Sequence, residues 1–149
     1  MRSGDYMEKY DVKFKKKFGQ NFLKDINIVK KIVRCADIKE DSLVIEVGPG
    51  GAIMTRELAE AANNVVAYEI DTELEMELNK RLEGLSNVDI IFQDFLVSDL
   101  VEDVKKYNYK HLYFISNVPY YITTPILMKI IESGLPFKKI VIKNQKEVG

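Results

Sequence analysis

Two glycines and a carboxylate have the types and spacing expected of a site for a nucleotide-type cofactor. Gly48 and Gly50 follow the apolar run of residues 43–47, and Glu69 lies 21 residues past Gly48, at the end of the next apolar run. Glycine lets the backbone bend sharply and approach a ligand, and the N–H groups at the start of a following helix can hold an anion. An acidic side chain at the position of Glu69 can accept hydrogen bonds from ribose hydroxyls.

The glycine spacing bears on which cofactor would bind. A dinucleotide site has Gly or Ala at the sixth position of Gly-x-Gly-x-x-Gly, and Ile53 stands there. A site for S-adenosyl-L-methionine holds no pyrophosphate, so it needs no third glycine, and it commonly has an acidic residue two positions before the first glycine. Glu46 occupies that position. The pattern therefore favours S-adenosylmethionine over NAD.

A third polar position follows the apolar run of residues 88–92. Asp94 can accept a hydrogen bond from the amino group of an adenine, and the neighbouring Phe95 offers apolar contact to the same base. Its place after a strand-like run, as with the glycines and Glu69, predicts that Asp94 belongs to the same site.

The sequence Asn117-Val118-Pro119-Tyr120 is the most specific chemical signal in the chain. Pro119 fixes its own φ and holds Val118 extended, so the backbone carbonyls here are fixed in position. The Asn117 side-chain oxygen and one such carbonyl can accept hydrogen bonds from both N–H groups of an exocyclic amine, while Tyr120 stacks on the base that carries the amine. Beside an S-adenosylmethionine site, this arrangement predicts methylation of an amine.

Strands and helices alternate along the chain in a way that brings these positions together. This alternation predicts right-handed crossovers and an α/β fold with a doubly wound, mostly parallel sheet of order 3-2-1-4-5. The ligand would lie beyond the carboxyl ends of the strands, beside the first of them. The predicted strands are 43–47, 65–69, 88–92, 112–116 and 139–143, and the predicted helices are 25–36, 52–62, one from Asp71 to Gly84, 98–107, and one from Thr124 at its cap, through Pro125 in its first turn, to Gly134.

The composition predicts one globular domain. The 149 residues are 46% hydrophobic and 30% charged, without a signal-peptide pattern or an apolar run of about 18 residues, which indicates a soluble, cytoplasmic protein. The single cysteine, Cys35, cannot form an internal disulfide and is predicted to be a small core residue of the first helix. Residues 1–34 hold ten Lys and Arg against four Asp and Glu, and the remainder holds twelve against nineteen, so the N-terminal arm is the basic part of the chain. Such an arm could contact phosphates or be a solvated tail, and its charge alone does not favour either.

The motifs together resemble the ribosomal RNA adenine N6-dimethyltransferases of the kasugamycin-resistance type, which act on small-subunit rRNA. The resemblance covers residues 11–149, with mild departures at Gly51 and Val118. Its segments, in the family's order, are Phe18-Gly19-Gln20-Asn21-Phe22-Leu23, Glu46-Val47-Gly48-Pro49-Gly50, Glu69-Ile70-Asp71, Gln93-Asp94, Asn117-Val118-Pro119-Tyr120-Tyr121-Ile122-Thr123-Thr124-Pro125 and Gln145-Lys146-Glu147-Val148.

The resemblance implies a Rossmann-like, S-adenosylmethionine-dependent methyltransferase that dimethylates adenine N6 during ribosome biogenesis. The expected partner is ribosomal RNA in the precursor of the small subunit. The protein is expected to be a monomer that binds neither a metal ion nor a membrane. Residues 1–13 would be a flexible arm and 14–149 the methyltransferase domain, ending after strand 5 without the family's last strands and C-terminal helical domain. Implied cofactor contacts are Asn21, Leu23, Gly48, Glu69, Asp94 and Asn117, and implied catalytic residues are Asn117, Pro119 and Tyr120.

Two other functions remain compatible with the sequence. The erythromycin-resistance group methylates large-subunit rRNA with similar motifs, although Phe18-Gly19-Gln20-Asn21 and Tyr121-Ile122-Thr123-Thr124-Pro125 favour the small-subunit type. A non-catalytic RNA-binding or assembly factor could keep the same fold. The intact Asn117, Pro119 and Tyr120 favour an active enzyme over such a factor.

Overall fold

The computed structural model describes residues 25–145, which form a five-stranded parallel sheet and five α-helices. The strands are β1 Ser42–Val47, β2 Asn64–Tyr68, β3 Val88–Ile91, β4 His111–Pro119 and β5 Phe137–Gln145, and the helices are α1 Ile26–Ala36, α2 Ile53–Ala61, α3 Glu75–Arg81, α4 Leu100–Val104 and α5 Thr123–Ser133. The predicted arm at 1–13 and the motif at 18–23 lie outside the described residues.

The strand order is β3-β2-β1-β4-β5, with every neighbouring pair parallel, so the predicted order 3-2-1-4-5 is confirmed. The order reverses at β1, because β2 and β3 lie on one side of it and β4 and β5 on the other. The carboxyl end of β1 is therefore the switch point where ligands bind in such sheets.

Alternating residues of the strands build two apolar layers, one on each face of the sheet. In β1, Ile45 packs with α4 and α5, whereas its neighbour Val44 packs with α1 and α2. Successive strand residues point to opposite faces, so a strand covered on both sides is apolar along its length. All six residues of β1 are buried, which fits its central place in the sheet.

Several helix limits differ from those predicted. Asp71 caps a short 3₁₀ turn, Thr72–Leu74, before α3 begins, and Asp99 caps α4, which is only five residues long. Thr124 is not the cap of α5, because the 3₁₀ turn Tyr120–Ile122 runs directly into that helix. Asp and Thr side chains can form hydrogen bonds with nearby backbone groups in turns as well as at helix starts. The sequence alone therefore does not show at which of these residues a helix begins.

Cys35 is exposed, and the prediction that it is a core residue was wrong. The buried side of α1 is formed by Val29, Ile32 and Ala36, whose spacing places Cys35 outside the apolar stripe. Its carbonyl oxygen accepts a hydrogen bond from Lys139 Nζ at 2.9 Å, which ties α1 to β5.

Candidate cofactor and active site

The glycine-rich turn between β1 and α2 has a strained backbone. Gly48 has φ of 77° and Gly50 has φ of 52°, and Ala52 also lies in the left-handed region at 67°. A side chain is disfavoured at such angles, which explains the two glycines and makes Ala52 a position that the sequence pattern did not reveal. Ala52 provides no side-chain cap for α2, so the turn leaves first-turn N–H groups of that helix without a side-chain acceptor.

Glu69 joins this turn to the end of β2. Its Oε1 accepts a hydrogen bond from Gly50 N at 3.4 Å, and its Oε2 accepts one from Asp71 N at 2.9 Å. Burial raises the pKa of the Glu69 carboxyl, and the two backbone N–H groups offset part of that increase. Each oxygen keeps a second lone pair, so Glu69 can accept further donors such as hydroxyls.

Glu46 lies in β1, beneath the turn, and is fully buried. Its Oε1 accepts a hydrogen bond from Thr55 Oγ1 at 2.6 Å, while its Oε2 has no partner among the described residues. Burial raises the pKa of Glu46 to about 8, with a further contribution from the nearby charge of Glu69. At neutral pH this carboxyl is therefore mainly protonated, and it links β1 to α2.

Asp94 is half-buried in the turn that follows β3. Its Oδ1 accepts a hydrogen bond from Leu96 N at 3.0 Å and so caps the 3₁₀ turn Phe95–Val97. Phe95 is buried in the core, with its ring centroid 5.2 Å from that of Tyr68. That position does not match the predicted contact of Phe95 with a bound base, and it gives the ring a structural role.

Strand β4 continues through Asn117 and Val118 to Pro119, three residues past the predicted end. Asn117 pairs in register with Lys143 of β5, and Pro119 has φ of −58° and ψ of 146°, which is an extended conformation. Asn117 is 4% exposed, and its Oδ1 has no hydrogen-bond partner within residues 25–145. A buried acceptor without a donor is costly, so a ligand that donates to Asn117 would be favoured.

Tyr120 is 56% exposed, directly after this buried segment. Its ring lies edge-on to that of Tyr121, with centroids 6.2 Å apart and an interplanar angle of 78°. An exposed aromatic ring next to a buried amide acceptor can stack on a planar base whose amino group reaches the amide.

The sheet brings four of these positions to one edge. Val47 at the end of β1 lies opposite Tyr68 of β2 and Ser116 of β4, and Glu69 N donates to Ile91 O of β3 at 3.0 Å. Gly48, Glu69 and Asn117 directly follow these paired residues of β1, β2 and β4, and Asp94 lies three residues past Ile91 of β3. Asn21 and Leu23, the other two predicted cofactor contacts, lie outside the described residues.

Two other findings concern the described part of the chain. Between residues 25 and 145, no helix has the length and apolar character needed to cross a membrane. Over the same range, no three or more His, Cys, Asp or Glu side chains are grouped so that they could hold a metal ion.

Comparison with known proteins identifies the family. The sequence model described as ribosomal RNA adenine dimethylase matches residues 11–149. The chain belongs to this family. The resemblance predicted from the motifs is thereby confirmed. The chain is also 46% identical over 151 residues to ribosomal RNA small subunit methyltransferase A of Ligilactobacillus salivarius, covering 99% of this chain and 51% of that protein. It thus spans about half the length of the curated relatives that it matches.

Two solved enzyme structures are similar to this chain in fold. A dimethyladenosine transferase from Plasmodium falciparum superposes with a TM-score of 0.71 at 30% identity, over 85% of this chain and 44% of that one. The 23S rRNA methyltransferase ErmE superposes with a TM-score of 0.64 at 33% identity, over 76% of this chain and 43% of that one. The predicted Rossmann-like methyltransferase fold is confirmed.

Proposed function

We propose that this chain binds S-adenosyl-L-methionine and dimethylates adenine N6 in small-subunit ribosomal RNA, as a cytoplasmic monomer acting on the ribosomal precursor. Residues 14–149 would form the catalytic domain. The observation that carries the proposal is the buried Asn117 acceptor at the end of β4, followed by an extended Pro119 and an exposed Tyr120. Membership in the adenine dimethylase family supports it.

The residues at the carboxyl edge of the sheet fit this cofactor. The spare lone pairs of Glu69 accept the ribose hydroxyls, and Asp94 accepts the adenine amino group. The turn at Gly48 lets the backbone approach the ligand, and the uncapped first turn of α2 can hold its carboxylate. Asn117 also contacts the cofactor, and the family resemblance adds Asn21 and Leu23. When bound, the cofactor supplies a methyl group on a positively charged sulfur.

The last residues of β4, together with Tyr120 directly after it, orient the target adenine. Asn117 Oδ1 and a backbone carbonyl near Pro119 would accept hydrogen bonds from the two N–H groups of the N6 amine and so orient that amine in the site. Tyr120 stacks on the base once it has left the RNA stack. The lone pair of an adenine amine is delocalised into the ring, so the acceleration comes mainly from holding both reactants in line.

The small subunit is favoured as substrate by the relatives named for it, which are 45–46% identical to this chain, against 33% for ErmE. A labelled methyl group from the cofactor should appear as N6,N6-dimethyladenosine in small-subunit precursor RNA. Label confined to large-subunit RNA would support the erythromycin-resistance type. Cofactor binding without labelling of either RNA would support a non-catalytic assembly factor.

Replacing Glu69 with alanine is expected to weaken S-adenosylmethionine binding by about 1–3 kcal/mol, because a charged acceptor for the ribose hydroxyls is lost. Titration calorimetry measures the change. Glu73→Ala is the matched control, since Glu73 is an exposed carboxylate in the adjacent turn. Equal affinity in Glu69→Ala and the control would remove Glu69 from the site.

A further inference from the structure

Lys129 of α5 reaches across to the turn that follows β3. Its Nζ donates hydrogen bonds to Ser98 O at 2.5 Å and Leu96 O at 3.3 Å, and it lies 5.6 Å from the centroid of the Phe95 ring. Hydrogen bonds from a charged donor are stronger than those between neutral groups, and a cation over an aromatic face adds to them. One half-buried ammonium group thus contacts three residues of the turn.

This turn carries Asp94, and its own hydrogen bonds join residues 94–98 to one another. Asp94 O accepts from Val97 N at 3.1 Å, and Phe95 O accepts from Ser98 N at 3.2 Å. Asp94 Oδ1 accepts from Leu96 N, and Ser98 Oγ donates to Phe95 O at 2.7 Å. Because these hydrogen bonds are internal to residues 94–98, they shape the turn, whereas contacts from other elements decide where the turn lies. Lys129 binds the carbonyl oxygens of Leu96 and Ser98 in this turn, and the position of the turn determines where the Asp94 carboxylate lies.

The helix that carries Lys129 is itself firmly placed. Ile126 and Ile130, on either side of it in α5, are 0% and 4% exposed in the core, and Thr123 Oγ1 donates to Asn144 Oδ1 of β5 at 2.7 Å. The helix starts directly after the turn Tyr120–Ile122. Lys129 therefore connects α5, which follows Tyr120 closely in the chain, with the turn that carries Asp94.

We propose that Lys129 is a positioning residue that holds Asp94 where it accepts the adenine amino group of the cofactor, and that it thereby sets the preference for adenine in that position. This inference rests on the proposed function, because it requires a cofactor with an adenine base. Lys129 touches neither reactant, and it acts through the turn.

The test compares two ligands by titration calorimetry on this chain. S-adenosylhomocysteine has the adenine amino group, and S-inosylhomocysteine has a carbonyl oxygen in its place, which would oppose an acceptor at Asp94. We expect the unaltered chain to bind the adenosyl ligand at least about tenfold more tightly, since a site built to accept an amino group rejects an analogue without it. In Lys129→Met the ratio of the two Kd values should fall to about threefold or less.

Two further variants separate positioning from general stability. Lys129→Arg keeps the charge and the donors, so it should keep most of the preference. Lys106→Met is the matched control, because Lys106 Nζ lies 5.5 Å from the centroid of the Tyr107 ring and likewise covers an aromatic face. It should leave the ratio unchanged. Should Lys129→Met fail to fold, Lys129→Gln, whose side chain is shorter and uncharged and so cannot replace the contacts of the ammonium group, should show the same fall in the ratio.

The outcomes distinguish this inference from the proposed function. Weaker binding of both ligands by Lys129→Met, with an unchanged ratio, would mean that Lys129 only stabilises the fold and would overturn the inference alone. Tight binding of both ligands by the unaltered chain, without preference, would also overturn it. Failure of the unaltered chain to bind S-adenosylhomocysteine would instead overturn the proposed function.

Discussion

Replacing Asn117 with alanine is expected to lower single-turnover methylation of small-subunit rRNA by about a hundredfold or more. The change removes a preorganised acceptor from the reacting amine, and loss of one such group in an active site typically costs that much. Asn117 Oδ1 is buried and has no partner within the described residues, so its loss breaks no hydrogen bond of the described fold. The melting temperature of the variant should accordingly change little.

Variants of the neighbouring Tyr120 test the stacking role separately. Tyr120→Ala removes the ring, an interaction worth roughly 1–3 kcal/mol per base, and should slow methyl transfer about ten- to a hundredfold. Tyr120→Phe keeps the ring and should retain most of the rate. Cofactor affinity should be similar in both. Were Tyr120→Phe as slow as Tyr120→Ala, the hydroxyl rather than the ring would be what matters, and the stacking role would have to be abandoned.

The second large effect expected is on stability as a function of pH. The pKa of Glu46 is about 8 in the folded chain against an ordinary value of 4.5, because burial disfavours the charged form. The folded state therefore holds a proton that the unfolded state releases, and stability falls as pH rises from about 4.5 to 8. For one such group the free energy of unfolding falls by at most about 1.4 kcal/mol per pH unit within this window, and the dependence levels off above it.

Glu46→Gln should remove this dependence. Glutamine keeps an oxygen that can accept a hydrogen bond from Thr55 Oγ1, and it carries no charge at any pH. The free energy of unfolding of the variant should therefore rise relative to that of the unaltered chain as pH increases from 5 to 8. Denaturant unfolding at several pH values measures the difference. Glu60→Gln is the control, because Glu60 is exposed on α2. Parallel pH profiles for the unaltered chain and Glu46→Gln would show that Glu46 is ionised in the folded state.

The fold was predictable because its signals are local. Short stretches rich in apolar residues marked each strand, and glycines marked the ends of β1 and α5. Alternation of strands with helices left few topologies to consider. Strand β4 was predicted to end at residue 116, and only its register with β5 shows that pairing continues to Pro119, which is tolerated at the end of a strand.

The site was predictable in its members but not in its internal contacts. Glu69 was assigned to ribose binding, yet its carboxylate also accepts N–H groups from Gly50, 19 residues away, and from Asp71. Lys129 gave no signal at all, since it contacts carbonyls 31 and 33 residues earlier in the chain. Contacts of this kind depend on tertiary packing, and carbonyl oxygens have no sequence signature.

The central claim is that the carboxyl edge of this sheet binds S-adenosylmethionine. Separate calorimetric titrations of the chain with S-adenosylmethionine and with NAD test it most directly, because the two cofactors share an adenosine and differ in the group attached to it. The account predicts saturable heat of binding with S-adenosylmethionine and none with NAD. Heat of binding with NAD and none with S-adenosylmethionine would contradict this claim, and it would show that the glycine-rich turn belongs to a dinucleotide site.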